Sequence, residues 1–189
     1  MGVSRIRSRI RRIPEFKGVV FWDITTLLKD KDAFRECIKQ MADHYRDMDI
    51  EVIAATEARG FIFGAALAYE LGVGFVPIRK KGKLPSKTAC LTFYKEYESD
   101  TIEVHEDAIK PGQKVLLIDD LLATGGTIKA NAELVEKLGG DVVGMGFVIE
   151  LEYLNGRENV GDKCDIFSLI KYRTPAGSID RFEERKNER

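Results

Sequence analysis

The run V-L-L-I-D-D-L-L-A-T-G-G-T, at residues 115–127, constrains the fold more than any other part of the chain. Its four apolar residues, Val115 to Ile118, predict a strand that is buried on both faces, as strands of parallel sheets are. Two carboxylates, Asp119 and Asp120, come next, and a turn of small residues then leads into an amphipathic helix. This order of strand, acidic pair, glycine turn and helix predicts an α/β unit with a ligand site where the strand ends.

The turn in this run is suited to a phosphate group, and its residues are Ala123, Thr124, Gly125, Gly126 and Thr127. Glycines let backbone N–H groups converge, the threonines add hydroxyls, and the N-terminus of the following helix carries a partial positive charge. The adjacent Asp119 and Asp120 suit ribose hydroxyls or Mg²⁺. A plain strand end with a tight turn, or a Walker-B-like acidic pair, are the alternatives, although the chain has no G-x-x-x-x-G-K-[ST] motif.

Length and composition exclude several classes of protein. The 189 residues suffice for one domain with a real core, and 44% apolar with 32% charged residues is typical of a globular protein. A net charge of −1 argues against a nucleic-acid binder, and the absence of an apolar run of about 18 residues argues against a membrane span. Three widely spaced cysteines favour reduced thiols in the cytoplasm, and two histidines without ligand spacing predict no metal cluster of side chains.

A second stretch repeats the pattern of strand, loop and helix. Val52 to Ala55 predicts a short buried strand, the loop T-E-A-R-G follows at residues 56–60, and a helix is predicted from about Phe61 to Leu71. Arg59 beside a helix N-terminus makes an anion site plausible. The alternative is that Arg59 forms a salt bridge with its neighbour Glu57.

A run of cations follows the next predicted strand, Val73 to Ile78. The run is R-K-K-G-K-L-P, at residues 79–85, and it contains Arg79, Lys80 and Lys83. Such a run is often only a solvated surface, but ligands of α/β sheets bind outside the carboxyl ends of strands. The position therefore favours an anionic ligand.

The rest of the chain completes an alternation of strands and helices. Residues 4–13 predict a short helix with a basic face, ended by Pro14, with a targeting presequence as the alternative. We predict an α/β fold with a mainly parallel sheet and helices on both faces, in a single domain over residues 1–172. The further elements are a helix at 31–48, a β-hairpin at 89–94 and 101–105, strands at 142–149 and 166–170, and a polar tail at 173–189.

The motifs resemble those of the type I phosphoribosyltransferase family. The segment I-D-D-L-L-A-T-G-G-T, residues 118–127, is similar to that family's motif for binding phosphoribosyl pyrophosphate (PRPP). Its residues D-D-L-L-A-T-G-G-T resemble the form of this motif in the adenine-specific members of the family. E-A-R-G-F-I-F-G, residues 57–64, resembles the pyrophosphate loop, and residues 16–28 resemble the segment that covers the base. Trp22 stands where the family usually has a cation, which is the clearest departure. The resemblance covers about residues 10–172.

The resemblance implies the family's fold, with a small hood from about residues 1–28 and a β-hairpin loop over the site. It implies an enzyme of purine salvage that converts adenine and PRPP to AMP and pyrophosphate, with Mg²⁺ as cofactor. It also implies a cytoplasmic homodimer in which Arg79 and Lys83 reach the neighbour's active site, with no nucleic acid or membrane as partner. A PRPP-binding regulator of the same fold, or a phosphoribosyltransferase for another purine, are the alternatives.

The resemblance also implies roles for individual residues. The 5′-phosphate would be held by Ala123, Thr124, Gly125, Gly126 and Thr127. Pyrophosphate would be held by Arg59, Arg79, Lys80 and Lys83, and adenine by Val20, Phe21, Trp22 and Leu151. The catalytic residues would be Glu96 on the hairpin loop together with Asp119 and Asp120, near which Mg²⁺ would bind through PRPP.

Overall fold

A seven-stranded sheet forms the centre of the molecule within residues 2–94 and 99–176, which are the residues that the computed structural model describes. The sheet consists of β3 (Val52–Thr56), β4 (Gly74–Lys80), β5 (Thr88–Tyr94), β6 (Ser99–His105), β7 (Lys114–Leu122), β8 (Asp141–Leu151) and β9 (Asp165–Tyr172). Two further strands, β1 (Arg11–Phe16) and β2 (Val19–Asp23), precede it in the chain and pair with each other. The helices are α1 (Gly2–Ser8), α2 (Thr25–Lys29), α3 (Lys31–Tyr45), α4 (Arg59–Leu71), α5 (Gly126–Lys137) and α6 (Gly156–Val160), with a 3₁₀ turn at Glu152–Leu154.

The sheet confirms the predicted α/β class with a mainly parallel sheet. Its strand order is β5-β6-β4-β3-β7-β8-β9. Strands β4, β3, β7, β8 and β9 run parallel to one another, and the β5–β6 hairpin is antiparallel at one edge. Strand β7 lies near the middle, between β3 and β8. Because the carboxyl ends of parallel strands meet at one edge of a sheet, the loops after β3, β4 and β7 lie together.

The alternation of side chains along β7 explains why its apolar run is buried on both faces. Val115 and Leu117 pack with α5, whereas Leu116 and Ile118 pack in the cluster that contains α3 and α4. Both clusters consist mainly of aliphatic side chains that are almost fully buried. Covering both faces in this way removes the sheet from water and holds the end of β7 in one position.

A separate two-stranded ribbon, β1 paired with β2, forms the predicted hood. Asp23 at the end of β2 is buried and accepts hydrogen bonds from the Thr25 N–H at 2.9 Å and from Arg11 Nε at 3.1 Å. The pKa of Asp23 is lowered, first by the hydrogen bond from Arg11 and then by that from the Thr25 backbone. These contacts fix the turn that joins β2 to α2.

Several element boundaries differ from the sequence predictions. The N-terminal helix ends at Ser8 instead of continuing to Pro14, which lies inside β1 where the pairing with β2 shifts register. Proline is tolerated there because an edge strand leaves some N–H groups unpaired. Strand β7 runs past Ile118 to Leu122, because β8 continues beside it and pairs with it as far as Glu150.

The basic N-terminal segment packs against its own chain. Arg5 lies 3.1 Å from the Asp30 carboxylate, and Arg9 lies 2.7 Å from the other oxygen of the same group. The Arg9 hydrogen bond comes first among the causes that hold the pKa of Asp30 well below its usual range. At the other end of the chain, Arg12 Nε donates to the carbonyl oxygen of Pro175 at 2.6 Å. The first residues of the predicted tail are thus attached to the hood, and residues 177–189 lie outside the described part.

Among the described residues, no helix is both long and apolar enough to cross a bilayer.

Candidate active site

The loop after β7 forms the wall of a cavity of about 210 Å³. Gly125 takes φ 85°, a left-handed conformation that glycine adopts without strain, and it precedes the first residue of α5. No side chain caps this helix, so its first N–H groups stay available to a ligand. The predicted 5′-phosphate residues all line this cavity, namely Ala123, Thr124, Gly125, Gly126 and Thr127.

A second cavity, of about 180 Å³, adjoins the first. It extends from the end of β3 toward the β5–β6 hairpin. Its wall includes Thr56, Glu57, Ala58, Lys80, Phe93, Asp100 and Ile102. The two cavities share Arg59, Asp119, Asp120 and Thr127. The structure therefore brings the acidic pair and Arg59 to the junction of the cavity beside the 123–127 loop and a second cavity.

Electrostatics at this junction are dominated by Asp119 and Asp120. Burial, followed by the neighbouring Asp120 charge, raises the pKa of Asp119. Burial also raises the pKa of Asp120, while Arg59 acts in the opposite direction. Asp119 Oδ1 accepts the Asp120 N–H at 2.9 Å. Two carboxylates held together with one nearby cation form a site that gains from a further positive charge.

Arg59 lies between the acidic pair and the hood. Its Nη1 is 3.1 Å from Asp120 Oδ2, as an ion pair without hydrogen-bond geometry. Its guanidinium carbon is 5.3 Å from the centre of the Phe21 ring. The alternative of a salt bridge between Arg59 and Glu57 is wrong, because Glu57 instead pairs with Arg79.

Gly60 explains how α4 comes so close to β7. A Cβ atom at this position would lie 2.9 Å from Asp119 Oδ1 and 3.1 Å from the Ile118 carbonyl oxygen. Any larger residue would therefore push the helix start away from the acidic pair. The glycine brings Arg59 within reach of Asp120.

The cation run after β4 has a defined path. Arg79 Nε donates to Glu57 Oε2 at 2.8 Å, and Lys80 Nζ lies 3.7 Å from Asp100 Oδ2. The buried Glu103 accepts the N–H groups of Lys83 at 2.8 Å and of Leu84 at 2.9 Å. Burial by itself would raise the pKa of Glu103, but these backbone hydrogen bonds lower it. Lys80 lines the second cavity, whereas Arg79 and Lys83 line neither of the two.

The four predicted adenine residues take different positions. Phe21 is half-buried beside Arg59, which places it next to the acidic end of the site. Val20, Trp22 and Leu151 pack in the hydrophobic cluster, and the side chains of Trp22 and Leu151 are buried. Any contact of Trp22 with a base would therefore be made by its backbone.

The predicted catalytic residue Glu96 lies outside the described residues.

Three residues that line or support the site were not predicted from the sequence. Asp100 and Phe93 line the second cavity but fall in a predicted turn and in an apolar strand. Asn131 is fully buried on α5 and donates a hydrogen bond to the Thr56 hydroxyl, which links the helix to the end of β3. A polar residue on an apolar helix face is the signal that could have identified Asn131.

Among the described residues, no group of three or more potential ligand side chains could hold a metal ion. The acidic pair nevertheless fits a Mg²⁺ ion that arrives with a substrate. Mg²⁺ is commonly bound by one or two carboxylates together with substrate phosphates and waters. Burial, followed by the adjacent Asp120 charge, raises the pKa of Asp119, and a bound cation would favour the ionised carboxylate.

Comparison with known proteins shows the family of this chain. The family model described as "Phosphoribosyl transferase domain" matches residues 23–173. Adenine phosphoribosyltransferase from Acidobacterium capsulatum is 52% identical over 169 residues, covering 88% of this chain and 93% of the relative. The crystal structure of the enzyme of that name from Thermoanaerobacter pseudethanolicus has a TM-score of 0.87 and 51% identity, covering 90% of this chain and 99% of its own.

The crystal structure of the APRTase from Giardia lamblia, complexed with 9-deazaadenine, has a TM-score of 0.87 and 40% identity to this chain. The match covers 92% of this chain and 99% of the Giardia chain. The family match spans most of the chain, and the relative from Acidobacterium capsulatum matches over nearly its whole length. The chain belongs to the phosphoribosyltransferase family, among its adenine phosphoribosyltransferases.

Proposed function

We propose that this enzyme transfers the 5-phosphoribosyl group of PRPP to adenine, giving AMP and pyrophosphate, in purine salvage. The observation that carries the proposal is the junction of the two cavities. There an uncapped helix N-terminus, two buried carboxylates and Arg59 face the same space. That combination matches a ligand with a phosphate at one end, a sugar in the middle and pyrophosphate at the other.

Each part of the site has a proposed task. The loop at residues 123–127 holds the 5′-phosphate through the free N–H groups of α5 and the hydroxyls of Thr124 and Thr127. Asp119 and Asp120 hold the ribose hydroxyls. Pyrophosphate is held by Arg59, Arg79, Lys80 and Lys83. Adenine is held by Val20, Phe21, Trp22 and Leu151, with the Phe21 ring as a stacking face.

The reaction breaks the bond from the anomeric carbon to a pyrophosphate oxygen and forms a bond to a nitrogen of adenine. The transition state has oxocarbenium character, as in other displacements at an anomeric carbon. Cations that neutralise the leaving pyrophosphate remove the need to protonate it, and such groups contribute several kcal/mol. Glu96 acts as the general base for the proton that adenine loses.

Mg²⁺ would enter with PRPP, near Asp119 and Asp120. When bound, it neutralises part of the pyrophosphate charge. The protein contributes the two carboxylates, whose pKa values are raised chiefly by burial and whose ionised forms a bound cation would favour.

Turnover tests the proposal directly. The protein is mixed with adenine, PRPP and Mg²⁺, and AMP is resolved by chromatography. Parallel reactions contain hypoxanthine or guanine, and the double variant Asp119→Asn/Asp120→Asn serves as the inactive control. We expect AMP from adenine and little product from the other bases. A wild-type enzyme that forms no AMP would overturn the proposed function. A faster reaction with hypoxanthine or guanine would identify that base as the preferred substrate.

A regulator that binds PRPP without turnover is less well supported. Such a protein needs a surface for nucleic acid, and the basic N-terminus was the candidate. Its arginines Arg5, Arg9 and Arg11 form ion pairs with carboxylates of their own chain. Those charges are therefore largely neutralised within the molecule.

A homodimer is supported by the outer face of α4. Ile62, Ala65 and Tyr69 fall at helical spacing and are exposed, with Tyr69 at 89% and Ile62 at 39%. An apolar stripe in water favours association with a second surface. Because α4 begins at Arg59, a dimer through this face would lie next to the pyrophosphate end of the site. A cytoplasmic location fits the free state of Cys37, Cys90 and Cys164.

A further inference from the structure

The short helix α6 packs against the outside of the 5′-phosphate loop. Asn159 Nδ2 donates a hydrogen bond to the Thr124 carbonyl oxygen at 2.8 Å. The contact joins α6 to a loop that lies 35 residues earlier in the sequence. It uses a carbonyl group and leaves the N–H groups of the loop free for a ligand.

Gly156 brings the two backbones into direct contact. A Cβ atom at Gly156 would overlap the Ala123 carbonyl oxygen and lie 3.1 Å from the Gly125 nitrogen. In the other direction, a Cβ atom at Gly125 would lie 2.5 Å from the Gly156 carbonyl oxygen. Neither position has room for a side chain, and the opposing atoms belong to the backbone, which cannot rotate away. The loop conformation is therefore set partly by α6.

Helix α6 is itself anchored to the sheet. Arg157 forms a two-pronged ion pair with Glu150 on β8, with contacts of 2.7 Å and 3.1 Å. Arg157 Nη1 also donates to the Ile166 carbonyl oxygen on β9 at 2.7 Å. The Glu150 carboxylate is buried, and its pairing with Arg157 helps lower its pKa against the effect of burial. A bidentate pair of this kind fixes orientation as well as distance.

We propose that Gly156 and Asn159 are positioning residues for the 5′-phosphate, because they hold the 123–127 loop in its binding shape from outside the cavity. Gly156 and Asn159 do not line the loop's cavity, so they act through the loop and not on the ligand. The inference rests on the proposed function, since it takes that loop as the phosphate site. It predicts that substitutions that disturb the α6 contacts weaken binding of the 5′-phosphate end of PRPP and leave binding of the pyrophosphate end unchanged.

The test measures binding of two separate probes by calorimetry. Ribose 5-phosphate reports on the 5′-phosphate loop, and pyrophosphate with Mg²⁺ reports on the opposite end. For Gly156→Ala we expect the dissociation constant of ribose 5-phosphate to rise about 10- to 100-fold, as a displacement near 1 Å would cause. For Asn159→Ala, which removes one neutral hydrogen bond and creates no clash, we expect about fivefold. Pyrophosphate binding should change less than about twofold in both.

Glu158→Ala is the matched control, because Glu158 is exposed on the same helix. It should leave both dissociation constants unchanged. Thermal unfolding of every variant shows whether it is folded, and Asn159→Ala decides the matter if Gly156→Ala does not fold. Unchanged ribose 5-phosphate binding in the folded variants, or an equal loss of both probes, would overturn the inference. Wild-type turnover is measured separately, so a failure of the proposed function is distinguishable.

Discussion

The indole of Trp22 stacks on the ring of Tyr172, with centroids 3.7 Å apart and planes 13° from parallel. The contact ties the hood to the end of β9 and turns the indole away from the neighbouring Phe21 side chain. Its Nε1 is buried without a hydrogen-bond partner in the described part of the chain. Trp22 is therefore a packing residue that joins the hood to the sheet.

Trp22→Phe should keep the preference for adenine over hypoxanthine. The phenyl ring preserves stacking on Tyr172 and removes an unpaired N–H. The Val20 carbonyl and the Trp22 N–H, which point to the same side of an extended strand, would still read the N6 and N1 edge of adenine. The measurement is kcat/KM for both bases, with Phe21→Ala as a comparison that should weaken adenine binding. A fall in the ratio of more than about a hundredfold, or roughly 2.7 kcal/mol, would assign base choice to the indole.

Asp119→Asn should stabilise the ligand-free protein while abolishing PRPP binding. Burial and the Asp120 charge raise the pKa of Asp119, so the folded state binds more protons than the unfolded chain above pH of about 4. Wild-type stability therefore falls as pH rises from that value through the raised pKa. Melting curves between pH 4 and 8 should show the melting temperature of the variant rising relative to that of the wild type as pH rises. Each kcal/mol of difference in unfolding free energy corresponds to about 2–4 °C.

Asp162→Asn, at an exposed position, is the matched control substitution, and it should not show this gain. An Asp119→Asn variant that is less stable than wild type at neutral pH would contradict the account, because it would mean that the carboxylate contributes favourably without ligand.

Glu103→Gln should weaken pyrophosphate binding and spare ribose 5-phosphate. The amide oxygen can still accept the N–H groups of Lys83 and Leu84, which share one oxygen, but the substitution removes the charge that strengthens these hydrogen bonds. Hydrogen bonds to a charged group contribute about 1.5–3 kcal/mol and neutral ones about 1 kcal/mol, so the change would loosen the cation loop. We expect about a tenfold rise in the pyrophosphate dissociation constant. Glu106→Gln, at an exposed position, is the control; equal effects on both ligands would argue for general damage.

Arg79 and Lys83 are predicted to serve the partner's site in a homodimer. Mixing an Arg79→Ala variant with Asp119→Asn/Asp120→Asn should restore part of the activity, because each mixed dimer contains one site with all its groups. No recovery after verified subunit exchange would mean that each site is self-contained. Sedimentation should also show Tyr69→Glu dissociating, whereas Glu70→Gln, its exposed neighbour, stays dimeric.

Glu96→Gln should lower kcat by about 10²- to 10⁴-fold, the usual contribution of general acid–base catalysis. The amide cannot accept the proton that adenine loses, while PRPP binding should change much less. The measurement is kcat and the KM for PRPP under saturating adenine, with Glu106→Gln again as control. An unchanged kcat would remove Glu96 from the chemistry.

The sequence alone determined the class of fold and the arrangement of the residues at the end of β7. The apolar run at 115–118, the acidic pair and the glycine turn are contiguous, so their order in the chain is also their order in space. The same holds for the loop that carries Arg59. Local backbone preferences and burial patterns fix such features, and they do not depend on which distant segment packs beside them.

Only the tertiary structure decided which charges pair and what supports the loop. Arg59 faces Asp120 and not the nearby Glu57, because α4 starts against the end of β7. Trp22 meets Tyr172, and Asn159 meets Thr124, across long separations in sequence. These contacts depend on how elements cross and pack, and a one-dimensional pattern of residues does not carry that information.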